Sequence, residues 1–137
     1  MKPSLNVNDI YNKVETTAKK YGYRGNRGTP GLVIKSLYQN IINAFGLKKK
    51  VHSRYFKDIG FGWNYIKKEI DEYQPVILNL WKDGRDFYKN HTILIIGYLE
   101  IAEKRFFAVY DNWYHGISYV DYDKLNTICS IDFLENE

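Results

Sequence analysis

The chain has 137 residues, 45% hydrophobic and 17% aromatic, which excludes a disordered polymer and suits one domain, 1–137, with a modest core. Its net charge of +4 is mild, and Lys48–Lys50 and Lys67–Lys68 read as solvated faces, so no nucleic-acid partner is expected. A single cysteine excludes an internal disulfide and a multi-cysteine metal centre, and no apolar run reaches the ~18 residues of a membrane span.

No apolar segment follows Met1-Lys2-Pro3-Ser4, so no signal peptide is visible. From Asn8 to Tyr21 the spacing of Ile10, Val14, Ala18 and Tyr21 predicts a helix, capped by Asn6 or Asn8 and ended by Gly22. Tyr23 to Gly28 reads as a loop, since its glycines and arginines lack the spacing of a phosphate-binding motif. Thr29-Pro30 predicts a helix start, with threonine as cap and proline in the first turn. Val33, Ile34, Leu37, Ile41, Ile42 and Phe45 form its apolar face, and Gly46 stops it. Val51 to Phe56 reads as a short strand or loop. A third helix carries Trp63, Ile66 and Ile70 and ends near Tyr73.

After Gln74 the pattern turns extended. Pro75 to Trp81 is an apolar run of strand length, and Lys82 to Asn90 is a polar loop. Thr92 to Tyr98, apolar on both faces, predicts a central strand. Leu99 to Lys104 reads as a turn and Arg105 to Asp111 as the returning strand. Gly116 to Asp121 and Thr127 to Phe133 read as further strands, with a short helical turn at Tyr122 to Leu125. Helices first and strands second predict an α+β fold with an antiparallel sheet.

A histidine opens one strand of the predicted hairpin and an aspartate closes the next. With the turn centred on Ile101 and no bulge between them, His91 faces Asp111 across the pair. An imidazole N–H donating to the carboxylate would fix the tautomer and leave the other nitrogen as a base. Asn112, followed by Trp113, adjoins the aspartate. His115 sits in a predicted turn, and His52 has no evident partner in the sequence. No H-E-x-x-H or C-x-x-C pattern occurs, so neither a metal nor a cofactor is expected.

Several of these features together resemble the papain-like cysteine peptidases, and within them the C39-like group. Gly28-Thr29 with Leu32, Leu37 and Gly46 is similar to the helix that follows the nucleophile helix there. Pro75-Val76-Ile77 is similar to the next strand. Tyr88, His91, Gly97 and Tyr98 match a histidine strand ending in Gly-Tyr, and Asp111 matches the family aspartate. The resemblance implies a papain-like fold, N-terminal helices packed on a C-terminal sheet, and a polypeptide substrate or protein partner. It implies His91 as general base and acid and Asp111 as its orienter, with Asn112, followed by Trp113 as an orienting asparagine often is there, as the runner-up. It also implies a nucleophilic cysteine at a helix N-terminus, which on this alignment would precede Met1.

No cysteine precedes His91 in this chain. Cys129, in an apolar strand, is expected to be buried and inert. Thr29 is expected to cap a helix, and Ser4 lacks helix context. Without a nucleophile helix, Val76, Leu78, Ile93 and Ile95 are expected to line an apolar groove. Either a second copy of the chain or the Asn8 to Tyr21 helix would cover it, and the narrow apolar face of that helix favours a homodimer. The sequence therefore carries two expectations: the His/Asp part of a peptidase, or an inactive papain-like binding module.

Overall fold

Asn6 begins the first helix by accepting the main-chain N–H of Asn8 at 2.8 Å. In the computed structural model, residues 6–25, 29, 33–55, 62–80, 91–125 and 128–136 are described. They form two compact units, Met1–Val51 with Asn136–Glu137, and His52–Glu135.

The first unit holds α1 (Val7–Lys20) and α2 (Ile34–Ala44), which pack on each other. Asp9 in the first turn of α1 and Lys19 and Lys20 in its last complement the helix dipole. Both helices end on a glycine with positive φ, Gly22 and Gly46. Beyond them, Tyr23 N–H bonds back to Ala18 O at 3.0 Å and Leu47 N–H to Ile42 O at 3.1 Å. The described part of the second helix begins at Ile34, with no side-chain cap at Val33. Thr29 is half-buried outside it, while Pro30 and Leu32 lie outside the described residues. Gln39 ties this unit together. Its Nε2 donates to Lys49 O at 3.1 Å, and its Oε1 accepts from Val51 N at 2.8 Å.

Strand β1 (Lys49–Tyr55) crosses from the first unit into the second. The second unit adds α3 (Gly62–Asp71), β2 (Val76–Leu80), β3 (His91–Ile101), β4 (Lys104–Tyr110), β5 (Ser118–Asp121), a 3-10 turn (Tyr122–Lys124) and β6 (Ile128–Asn136). The sheet order is β1-β6-β2-β3-β4-β5. The pairs β2–β3, β2–β6, β3–β4 and β4–β5 are antiparallel. The protein is thus α+β, with three α-helices and a six-stranded sheet among the described residues.

The register of the β3–β4 hairpin differs from expectation. Ile101 pairs with Lys104, and the turn is Ala102–Glu103, whose φ angles are 48° and 64°. Two successive residues with positive φ turn a hairpin with the twist of its strands, a geometry usually signalled by Asn-Gly. Ala-Glu gives no such signal, so the sequence reading misplaced the centre. Continued unbroken, this register would set His91 and Asp111 on opposite faces. An irregularity between Ile95 and Gly97 adds one residue to β3 and restores the phase.

One face of the sheet is the core. Val76, Leu78, Ile93, Ile95, Phe107, Val109, Ile131 and Phe133 are buried there with Trp63 and Ile66 of α3 and with Tyr122 and Leu125. The apolar groove expected here is covered by α3, which was neither of the two expected covers. Val76, Leu78 and Ile95 are 0% exposed and Ile93 1%, because α3 carries its apolar face to β2 and β3. Covering these four side chains requires no second copy. At the start of α3, Trp63 N–H donates to Tyr122 Oη at 3.1 Å, and a Cβ on Gly62 would meet that oxygen at 3.3 Å. Trp63 stacks on Phe107 at 5.0 Å, and Arg105, paired with Asp123, lies over Tyr122. Hydrogen bonding from Arg105 holds the Asp123 carboxyl below its ordinary range.

Candidate active site

His91 is the first residue of β3 and pairs with Leu80 of β2. The alternation His91, Ile93, Ile95 puts the imidazole on the core face, at the end of the sheet. On β4 the same alternation runs Phe107, Val109 and on to Asp111, which is 0% exposed. Extended past its last pair, Leu94 with Tyr110, the ladder sets Asp111 beside Ile93 and Trp113 beside His91. The two expected partners share a face, offset by one diagonal step instead of directly opposed.

The contact between them is made by the main chain. His91 Nε2 lies 2.6 Å from the carbonyl oxygen of Asp111. A carbonyl only accepts, so Nε2 carries the proton. In the neutral ring the basic nitrogen is then Nδ1. Oδ1 of the Asp111 carboxylate accepts from Trp113 N at 3.0 Å and Tyr114 N at 3.2 Å. These bonds close a turn of the type aspartate and asparagine favour. They also satisfy a carboxylate that burial would otherwise make costly. The turn carries the Trp113 indole onto His91, with ring centroids 4.6 Å apart and planes inclined by 39°.

Asn112 is exposed and takes φ 61°, a left-handed turn conformation that asparagine tolerates. His115 is exposed in the loop that follows. His52 does have a partner, contrary to the sequence reading: its Nε2 is 3.0 Å from Glu135 Oε2, and its ring stacks on Phe133 at 5.7 Å. Both contacts reach across to β6, which local sequence gives no means of pairing with β1. Cys129 falls in β6, but its side chain lies outside the described residues, as do Ser4, Gly28, Tyr88 and Trp81. Among the described residues no three of His, Cys, Asp and Glu converge as metal ligands, and no helix is long and apolar enough to cross a membrane.

A polar row on the face of the sheet opposite to His91 escaped the sequence reading. Ser53 of β1 donates to Asp132 of β6, Asn79 of β2 donates to Asp132 Oδ2 at 2.8 Å, and Thr92 of β3 donates to Asn79 Oδ1 at 2.9 Å. Asn79 and Asp132 are 3% and 2% exposed. The signal was a polar residue inside each apolar run, Leu78-Asn79-Leu80 and Ile131-Asp132-Phe133. The row fixes the order of four strands, since each buried group would be costly without its partner.

No protein-family model and no curated protein sequence matches this chain.

Proposed function

We propose that this chain is a papain-like, C39-like cysteine peptidase-related domain that supplies the His/Asp part of the catalytic site. The observation that carries the reading is the 2.6 Å contact of His91 Nε2 with Asp111 O at the end of two adjacent antiparallel strands. An imidazole held through Nε2–H has Nδ1 as its basic nitrogen, and a base oriented by a third group is what activates a thiol nucleophile. In the proposed reaction a cysteine thiol supplied from outside these 137 residues gives its proton to His91. The thiolate adds to a peptide carbonyl, and His91 returns the proton to the departing amine. Water then releases the acyl group by the same proton path. Asp111 orients the ring, and Asn112 is the alternative orienter.

The second reading is an inactive papain-like module that binds polypeptide. It is favoured by the position of the chain's single thiol, Cys129, which follows His91 on β6. One experiment separates the two. The whole open reading frame containing this chain is expressed intact and assayed for peptide cleavage. The peptidase reading expects cleavage that iodoacetamide abolishes and that falls at least about 100-fold on His91→Ala. Absence of thiol-dependent cleavage, or cleavage indifferent to His91, rejects the peptidase and leaves the binding module.

A further inference from the structure

We infer that β5 is a docking edge, where an extended, uncharged stretch of polypeptide adds to the sheet as a further strand. Among the described residues the sheet ends on β1 at one side and on β5 at the other. An edge strand offers the N–H and C=O of alternate residues to another chain unless charge, proline or a bulge blunts it. Lys49, Lys50 and Arg54 blunt β1. Ser118–Asp121 has no lysine, arginine or proline, and it pairs with β4 in unbroken register.

The side chains along this edge say what kind of strand fits. Val120 packs on the core, so alternation turns Tyr119 to the opposite face, beside Ala108 of β4. One step beyond the last pair, Val109 with Ser118, Ile117 falls opposite Tyr110. Tyr110, Ile117 and Tyr119 are 44%, 49% and 61% exposed and form an apolar ledge beside the open edge. From Asn112 to Val120 there is no Lys, Arg, Asp or Glu, in a chain that is 26% charged. A charged side chain set down here would lose water and gain no counter-ion. The complement is therefore a neutral strand with apolar side chains at every second position.

The size of the ledge decides between occupants. Its three side chains leave on the order of 300 Å² open. That is well short of the ~800 Å² per partner of a stable interface, and areas this small belong to transient encounters. A lasting dimer through β5 needs more surface than this, whereas a passing strand takes its affinity from main-chain hydrogen bonds. None of these residues is assigned a part in catalysis, so docking and cleavage are separable.

The test is a nitrogen-15 NMR titration of the 137-residue chain with two blocked heptapeptides. One alternates valine and threonine. The other is the same peptide N-methylated at every residue, which keeps the side chains and removes every N–H donor. The first is expected to shift the amides of residues 117–121 saturably, with a dissociation constant on the order of 1 mM, and to slow their hydrogen exchange. N-methylation of the peptide, or Tyr119→Lys at this exposed site, should each weaken binding by at least about tenfold. Absence of a saturable shift, shifts centred away from β5, or equal binding of the methylated peptide overturns the inference. So does undiminished binding by a folded Tyr119→Lys chain. Sedimentation of the free chain as a dimer that Tyr119→Lys dissolves would make a second copy the occupant and overturn it too. Should the lysine variant not fold, the two peptides on the wild-type chain still decide. Failure of the cleavage assay above leaves the docking edge standing, and failure of this titration leaves the peptidase untouched.

Discussion

Among the described residues of Met1–Val51 the buried apolar side chains are few, Ala18, Ile34, Leu37, Ile42 and Val51, and polar side chains span the gaps between segments. Gln39 reaches residues 49 and 51, and Lys13 Nζ reaches Ala44 O at 2.5 Å. In His52–Glu135 the balance reverses. Aromatic and β-branched side chains of four strands and α3 make one continuous core, and aromatic rings interlock at 5.0–5.4 Å around Trp63, Phe107 and Tyr122. The helix ends differ as well. Gly22 and Gly46 close α1 and α2 without steric cost, whereas α3 closes on Tyr73 at φ 59°. A small unit with a thin core gains from ideal chain chemistry. A unit with a deep core tolerates local strain.

Truncation in the core of the sheet unit should have the largest effect. Phe107→Ala is expected to destabilise by about 3–5 kcal/mol, because the ring is fully buried and contacts both Trp63 and Tyr122. Urea unfolding followed by Trp fluorescence measures it. A loss below about 1 kcal/mol would mean that this core repacks freely. In the helical unit, Leu37→Ala is expected to cost less, about 2 kcal/mol, since Leu37 retains 8% exposure. Equal losses for the two variants, by far-UV circular dichroism, would erase the contrast between the units.

Relieving strain should move the sheet unit the other way. Tyr73 is 94% exposed, so its ring has little packing to lose. Tyr73→Gly is expected to stabilise by about 1 kcal/mol by removing the left-handed penalty. A lower melting temperature would show that the closing bond, Gln74 N–H to Glu69 O at 2.9 Å, needs the stiffer residue.

The smallest expected effect is a pH slope. Burial, and then the charge of Glu72, raises the Glu69 carboxyl above its ordinary range. The folded state therefore holds this proton more tightly than the unfolded chain. The resulting stability is complete below the ordinary carboxyl range, about 4.3, and is lost as pH rises through the raised value. Glu69→Gln should flatten that slope and gain most over wild type near neutral pH. Urea midpoints at several pH values test it, and a gain confined to acid pH would give the opposite sign.

Much of this architecture was legible because its signals are local. The spacing of Ile10, Val14 and Ala18, the stops at Gly22 and Gly46, and the apolar runs from 76 to 80 and 92 to 98 each lie within a few residues. What stayed hidden depends on partners distant in sequence. Nothing near Trp63 announces that α3 will cover β2 and β3. Nothing in Ala102-Glu103 marks a tight turn, and no local pattern reveals that Asp132 will receive Ser53 and Asn79. His91 and Asp111 were found as neighbours, but the atom of Asp111 that meets the ring depends on a turn whose geometry the sequence states only weakly.

The irregularity at Ile96 gives the hairpin one position of slack. It is the surplus residue of β3, lying between the pairs Ile95 with Val109 and Gly97 with Ala108. A deletion there would merge the two halves of the strand into one uninterrupted ladder, with every inward side chain still inward. A deletion from Thr92 to Leu94 that left the irregularity in place would invert His91 toward the opposite side of the sheet. Over evolutionary drift in length, the histidine strand can thus shed this one residue and keep its reading frame of faces.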